Sequence, residues 1–126
     1  PILVNWWQNL PESTRIKHNP GVMHAFSADQ KHVEPLLNCG FIFGIGGPVT
    51  YKNAAEKQAL VASLPLQKML LETDCPFMPP HPHRGQRNEP AFIPLIAQKI
   101  AEIKGLSIEE VGKQLTNNAR RLFRIN

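Results

Sequence analysis

Apolar residues in this chain gather in four short runs, Ile2 to Trp7, Val22 to Phe26, Phe41 to Ile45 and Met69 to Thr73. Each run is continuous rather than alternating and is rich in β-branched or aromatic residues. That is the pattern of strands buried on both faces of a parallel sheet. Helix signals lie between the runs. Ser27 with Gln30 has capping-box spacing, Asn53 with Glu56 that of an Asn-capped start, and Gly40 stands where a C′ glycine ends a helix. The predicted order is βαβαβαβ followed by helices, an α/β arrangement.

Beyond the fourth run, Asp74 to Pro90 contains five prolines and reads as an irregular loop. Ala91 to Lys104 predicts a helix with Phe92, Leu95, Ile96, Ile100 and Ile103 on one face. Gly105 stops it, Ser107 with Glu110 starts another through a capping box, and Thr116 to Phe123 makes a third helical piece. Four strand–helix units in 126 residues average about 31 residues apiece, which is also what a (β/α)₈ barrel of about 250 residues spends. Four units do not close such a barrel. A flavodoxin-like sheet wants a fifth strand and a phosphate loop that is absent here. Half a barrel is the expectation, with residues 1–126 as one unit.

Composition narrows the class. At 42% hydrophobic and 19% charged residues, the chain suits one globular domain and not a disordered segment. No apolar run approaches the roughly 18 residues of a membrane span, so no membrane partner is expected. Two cysteines, Cys39 and Cys75, are too few for a disulfide scaffold and fit a reduced, cytoplasmic protein. A net charge of +4 favours a polyanionic partner. Opening at Pro1 inside an apolar run, the chain reads as a fragment.

The runs end near Asn5, His24, Gly46-Gly47-Pro48 and Asp74. In a barrel, the C-terminal ends of the strands point into the active site, so His24 and Asp74 are expected to face one cavity. Both residue types ligate divalent metals, and an aspartate also serves as general base. The plainer alternative makes His24 a core histidine and Asp74 the N-cap of a turn. In the proline-rich loop, His81, His83, Arg84 and Arg87 form a basic cluster suited to phosphate, or Arg84 and Arg87 pair with Glu89 to shape the loop. Gly44-Ile45-Gly46-Gly47 lacks the spacing of a dinucleotide loop. Cys75 reads as a small buried filler, at least one of Trp6 and Trp7 as core, and His18 and His32 as surface residues.

Several segments, in order along nearly the whole chain, resemble the TatD-type metal-dependent deoxyribonucleases, a branch of the amidohydrolase-like barrels. Gly21-Val22-Met23-His24-Ala25-Phe26-Ser27 is similar to the family's G-V-x-H-x-F-S strand. The segment from Gly44 to Ala54 looks like its G-x-G-G-x-V-T-[FY]-K-N-A loop. Leu70-Leu71-Glu72-Thr73-Asp74-Cys75-Pro76 resembles LLETD-[AC]-P, His83 to Pro90 resembles HRG-x-RNEP, and Asn118 to Phe123 resembles NA-x-x-LF. The resemblance covers the family's C-terminal half and implies strands five to eight of a (β/α)₈ TIM barrel.

It further implies one or two divalent ions (Mg²⁺, Mn²⁺ or Zn²⁺) and hydrolysis of phosphodiester bonds in DNA, and in some relatives RNA. Carried over by position, His24 is a metal ligand, Asp74 a ligand that also orients or deprotonates the attacking water, and His83, Arg84 and Arg87 contact substrate phosphate. Pro1 to Asn5 aligns with the family's P-V-[IL]-[IL]-H strand, which puts Asn5 at a ligand position with a carboxamide in place of an imidazole. The isolated half-barrel is expected to be inactive, and to associate with its missing N-terminal half or with itself. Two alternatives remain: a non-catalytic half-barrel that binds phosphate or a partner chain, and a metal-dependent esterase acting on aminoacyl-tRNA.

Overall fold

Three of the four apolar runs form strands, and the first does not. The structure is a computed structural model that describes residues 2–16, 20–27 and 30–125. His18, and the Ser27–Gln30 capping box with the Gln30 side chain, lie outside the described residues. Strands β1 (Val22–Met23), β2 (Ile42–Ile45) and β3 (Met69–Leu71) pair in parallel in the order β1-β2-β3. Val22 stands opposite Ile42, and Phe43 opposite Met69. All four residues of β2 are buried, as continuous apolar runs require of a central parallel strand. Helix α2 (Val33–Asn38) connects β1 to β2, and α3 (Ala55–Ser63) connects β2 to β3. Sequential parallel neighbours joined through helices are the topology of an α/β barrel segment.

Helices α4 (Ile93–Lys104) and α5 (Ile108–Phe123) close the other side of the core. Phe43, Ile45, Met69, Val61, Leu64, Ile96, Ile100 and Val111 are among its most deeply buried apolar side chains. Ile96 and Ile100 lie on the α4 face predicted from spacing, while the helix itself begins at Ile93 after a 3₁₀ turn over Pro90–Phe92. Gly105 ends α4 in the left-handed conformation at φ 66°, and Ser107 with Glu110 completes the expected capping box. The third helical piece is the second half of α5, with no break before Thr116. Gly40, at φ 89°, follows α2 as a C′ glycine, and Phe41 N–H returns to the Leu36 carbonyl at 3.1 Å. The Asn53 cap does not form. Helix α3 starts one residue later, with Ala54 at its N-cap and no side-chain cap.

The run Ile2 to Trp7 is part of a helix, α1 (Ile2–Asn9). A short apolar run does not by its periodicity distinguish helix from strand. Here packing decides: Val4 and Trp7, three positions apart, rest on the core, and the Trp7 ring meets the edge of Phe41 at 5.8 Å. The fourth expected strand is therefore absent, and the described residues hold a three-stranded sheet rather than four strand–helix units. Trp6 stays 55% exposed, so Trp7 is the core tryptophan of the pair. Among the described residues no helix is long and apolar enough to cross a membrane.

Candidate metal centre

The strands β1 and β3 are separated by β2, yet the chain just past their C-terminal ends converges. Past Met23, Ala25 turns into the left-handed region at φ 47°, and past Leu71, Asp74 does the same at φ 55°. Between them Glu72 reaches across the mouth of the sheet. Its Oε2 lies 2.8 Å from His24 Nδ1, and its Oε1 accepts the Ala25 N–H at 2.6 Å. The other imidazole nitrogen, Nε2, lies 3.0 Å from Asp74 Oδ1. Gly44 of β2 makes room for this crossing, since a Cβ there would overlap the Glu72 carboxylate.

The result is a trio, His24, Glu72 and Asp74, whose ligand atoms all lie within 4.8 Å of one another. The side chain of His24 is 68% exposed, whereas those of Glu72 and Asp74 are 14% and 19% exposed. Two carboxylates gathered on one imidazole are a ready cation site. Hydrogen bonding to Glu72 and its negative charge raise the His24 pKa above its ordinary 6.5; desolvation opposes the rise, and Asp74 adds a smaller increment to it. The donor set of one imidazole and two carboxylate oxygens suits a hard or borderline divalent ion.

Position at the strand ends therefore brings out two of the three members of the trio, His24 and Asp74. Glu72 was visible only as part of the LLETD segment. Its signal was an acidic residue interrupting an apolar strand, where an unpaired carboxylate is rare. Asn5 needs correction. It is exposed on α1, its backbone carbonyl accepts a hydrogen bond from Asn9 Nδ2 at 2.8 Å, and the strand end that was to aim it at a metal does not exist.

The proline-rich loop is braced from beneath by the glycine-rich segment. Thr50 Oγ1 accepts the His81 N–H at 2.7 Å, Tyr51 Oη donates to the Pro79 carbonyl at 3.0 Å, and Gly47 packs against the backbone of Met78 to Pro80. Arg84 lies over the Tyr51 ring at 4.3 Å, and the His83 ring stacks on Phe92 at 4.1 Å with Nδ1 3.2 Å from Gln86 Oε1. Arg84 and Arg87 are exposed, Arg87 beside a small cavity lined also by Cys75 and Asn88. Cys75 is exposed and not the buried filler expected, because the turn after Asp74 carries it outward. His32, expected at the surface, is half-buried.

Comparison with known proteins decides the lineage. Residues 7–124 match the family described as TatD related DNase. The chain belongs to that family. It is 44% identical over 106 residues to the Bacillus subtilis protein named uncharacterized metal-dependent hydrolase YabD, covering 84% of this chain and 42% of that one. It is 39% identical to the Escherichia coli metal-dependent hydrolase YcfH over the same share of this chain and 40% of the relative. The crystal structure of the TatD homologue YjjV from E. coli superposes with a TM-score of 0.78 at 34% identity, over 84% of this chain and 41% of that one. An Entamoeba histolytica TatD-family hydrolase at 23% identity, with a TM-score of 0.72, shares the fold. The chain thus spans about two fifths of the length of these curated relatives. The TatD match opens at Trp7, so Asn5 lies before it.

Two TatD-like segments prove to be architectural. Asn88 of the RNEP stretch and Asn118 of the closing helix are the two buried polar side chains, at 2% and 0% exposure, among the described residues. Both donate to backbone carbonyls around β3.

Proposed function

We propose that this chain is the C-terminal part of the (β/α)₈ barrel of a metal-dependent phosphodiesterase acting on DNA. The observation that carries the reading is the His24–Glu72–Asp74 trio at the C-terminal mouth of a parallel sheet in a TatD-family chain. His24, Glu72 and Asp74 would hold a divalent ion, Mg²⁺, Mn²⁺ or Zn²⁺. That ion, when bound, supplies positive charge for the phosphate and acidifies water. Asp74, with its carboxylate at the open side of the imidazole, orients the attacking water and accepts its proton. Arg84 and Arg87 present exposed guanidinium groups for backbone phosphates, and His83, stacked on Phe92, adds a hydrogen-bonding nitrogen.

A cleft of about 600 Å³ opens beside the trio, lined by Val22, Leu70, Leu71, Ile93, Leu115 and Phe123 together with His24 and Glu72. Its apolar walls fit completion by the rest of the barrel or by a second copy. The active form is therefore the completed barrel. The test is release of p-nitrophenolate from bis(p-nitrophenyl) phosphate and shortening of labelled DNA. Both are measured with Mn²⁺ and with EDTA, for the chain alone and fused behind the N-terminal part of the B. subtilis relative. Mn²⁺-dependent cleavage by the fusion is expected. A folded fusion that binds Mn²⁺ and cleaves neither substrate would leave phosphate or partner binding as the function.

A further inference from the structure

Asp74 sits at φ 55°, in the left-handed region, which aspartate enters more readily than most residues but which still needs support from its surroundings. The supporting group, Asn88, is fourteen positions away. Asn88 donates one carboxamide proton to the Thr73 carbonyl at 2.5 Å and the other to the Phe77 carbonyl at 2.7 Å. Its backbone N–H reaches the Pro76 carbonyl at 3.0 Å. The carbonyls of the turn that carries Asp74 therefore converge on one residue, which is 2% exposed. The Asn88 oxygen accepts the N–H of Glu89 at 2.9 Å, and this fixes which end of the carboxamide faces the turn. Phe77 N–H closes the turn onto the Asp74 carbonyl at 2.8 Å, and Thr73 Oγ1 accepts the Cys75 N–H at 3.3 Å.

We infer that Asn88 is the positioning residue of the centre: its carboxamide clamps the turn between Thr73 and Phe77 and so aims the Asp74 carboxylate at Nε2 of His24. The inference rests on the reading of His24, Glu72 and Asp74 as a metal centre. The chemistry requires this side chain. Two donors and one acceptor on a short stem meet two carbonyls and one N–H, whereas aspartate offers no donor and serine only one. Glu72 is placed differently, just past β3, by its own N–H on the Ile45 carbonyl at 3.1 Å and by the Ala25 N–H on its carboxylate. Loss of Asn88 should therefore release one carboxylate and leave the other in place.

The test uses ¹⁵N-edited spectra of the His24 imidazole in the metal-free chain, together with Mn²⁺ calorimetry. In Asn88→Ser the Nε2 resonance should move toward that of a solvent-exposed histidine, while Nδ1, held by Glu72, stays where it is in the parent. Mn²⁺ affinity should fall about 10- to 100-fold. Asn118→Ser, an equally buried site at the other end of β3, should lower the melting temperature and leave both imidazole resonances unmoved. A folded Asn88→Ser chain with an unshifted Nε2 resonance overturns the inference. Should that variant fail to fold, the parent decides: both Asn88 carboxamide protons must exchange slowly with solvent, and fast exchange overturns it. Should the parent bind no Mn²⁺, the metal reading falls, and the Nε2 shift still judges the placement of Asp74.

Discussion

Each end of β3 is held by a buried asparagine, and the two ends differ in everything else. At the N-terminal end Asn118, reaching from α5, donates to the carbonyls of Leu66 and Met69 at 2.8 and 2.9 Å. Its oxygen accepts from Gln114 and Arg121, both at 2.8 Å. Everything it touches is backbone or a neighbour on its own helix. At the C-terminal end Asn88 makes the same kind of bonds, but the turn it holds contains Asp74 at φ 55°, is followed by Met78 at φ 52°, and opens onto an exposed imidazole. Left-handed non-glycine residues cost free energy, on the order of 1–3 kcal/mol each, and here they cluster at one end only. The N-terminal end of the strand carries stability. The C-terminal end spends some of it on geometry, as barrel enzymes do at their catalytic face.

The largest effect that would break this comparison comes from Asp74→Asn in the completed barrel. The carboxamide cannot take the water's proton, so turnover should fall by about two to four orders of magnitude. Asparagine tolerates the left-handed conformation at least as well as aspartate, so the melting temperature should hold. Unchanged turnover would remove Asp74 from the chemistry, and a large loss of stability would make both ends of β3 structural.

Asn118→Ala probes the opposite end. It leaves two buried carbonyls without donors and should cost about 3 kcal/mol in urea unfolding. Mn²⁺ affinity of the folded fraction should not change. A drop in affinity would mean that the two ends are coupled through the strand.

The fold and the trio are unequally legible in the sequence. Strands β1 to β3 fall inside apolar runs, and Gly40, Gly105 and the Ser107–Glu110 box act where their chemistry predicts. These signals are local, so sequence carries them. His24 and Asp74 were found because strand ends in an α/β sheet meet at one mouth. The failures all needed tertiary information. Ile2 to Trp7 has the composition of a strand, and only the contact of Trp7 with Phe41 shows it as a helix. The expected ligand position of Asn5 rested on that strand, and Asn5 lies on α1 instead. Glu72 could not be separated from its apolar neighbours without Gly44, whose missing side chain accommodates it from the adjacent strand. Asn88 lies in a loop whose chemical signal is its basic residues, while its own role depends on carbonyls 11 and 15 positions away.

Gly44→Ala sharpens the C-terminal end further. The added methyl would occupy the place of the Glu72 carboxylate, which must then leave Ala25 and His24 Nδ1. Mn²⁺ affinity should drop about 10- to 100-fold, the range typical when a partner that orients a ligand is disturbed. Calorimetry showing parent-like affinity would mean that Glu72 is not part of the centre, and that His24 and Asp74 act without it.

The smallest effect belongs to the scaffold that supports the N-terminal end. Ser107 Oγ accepts the Glu110 N–H at 3.2 Å, and Glu110 Oε2 accepts from the Ser107 N–H and hydroxyl, both at 2.9 Å. Ser107→Ala should cost about 1 kcal/mol of stability and leave Mn²⁺ affinity untouched, since α5 reaches β3 through Asn118 rather than through Asp74. The loss should also depend on pH in a defined direction. The Ser107 backbone N–H, and then its hydroxyl, hold the Glu110 pKa below its ordinary 4.5. A carboxylate depressed by folding contributes stability that is fully present above its unfolded pKa and disappears as pH falls through the folded one. The gap between parent and Ser107→Ala should accordingly be constant near neutral pH and narrow below about 4.5, where Glu110 begins to take up its proton. Urea unfolding of both chains at pH 7 and at pH 3 measures it. An equal gap at the two values would mean that the hydroxyl alone caps α5, and any change in metal affinity would tie this helix start to the C-terminal end of the strand.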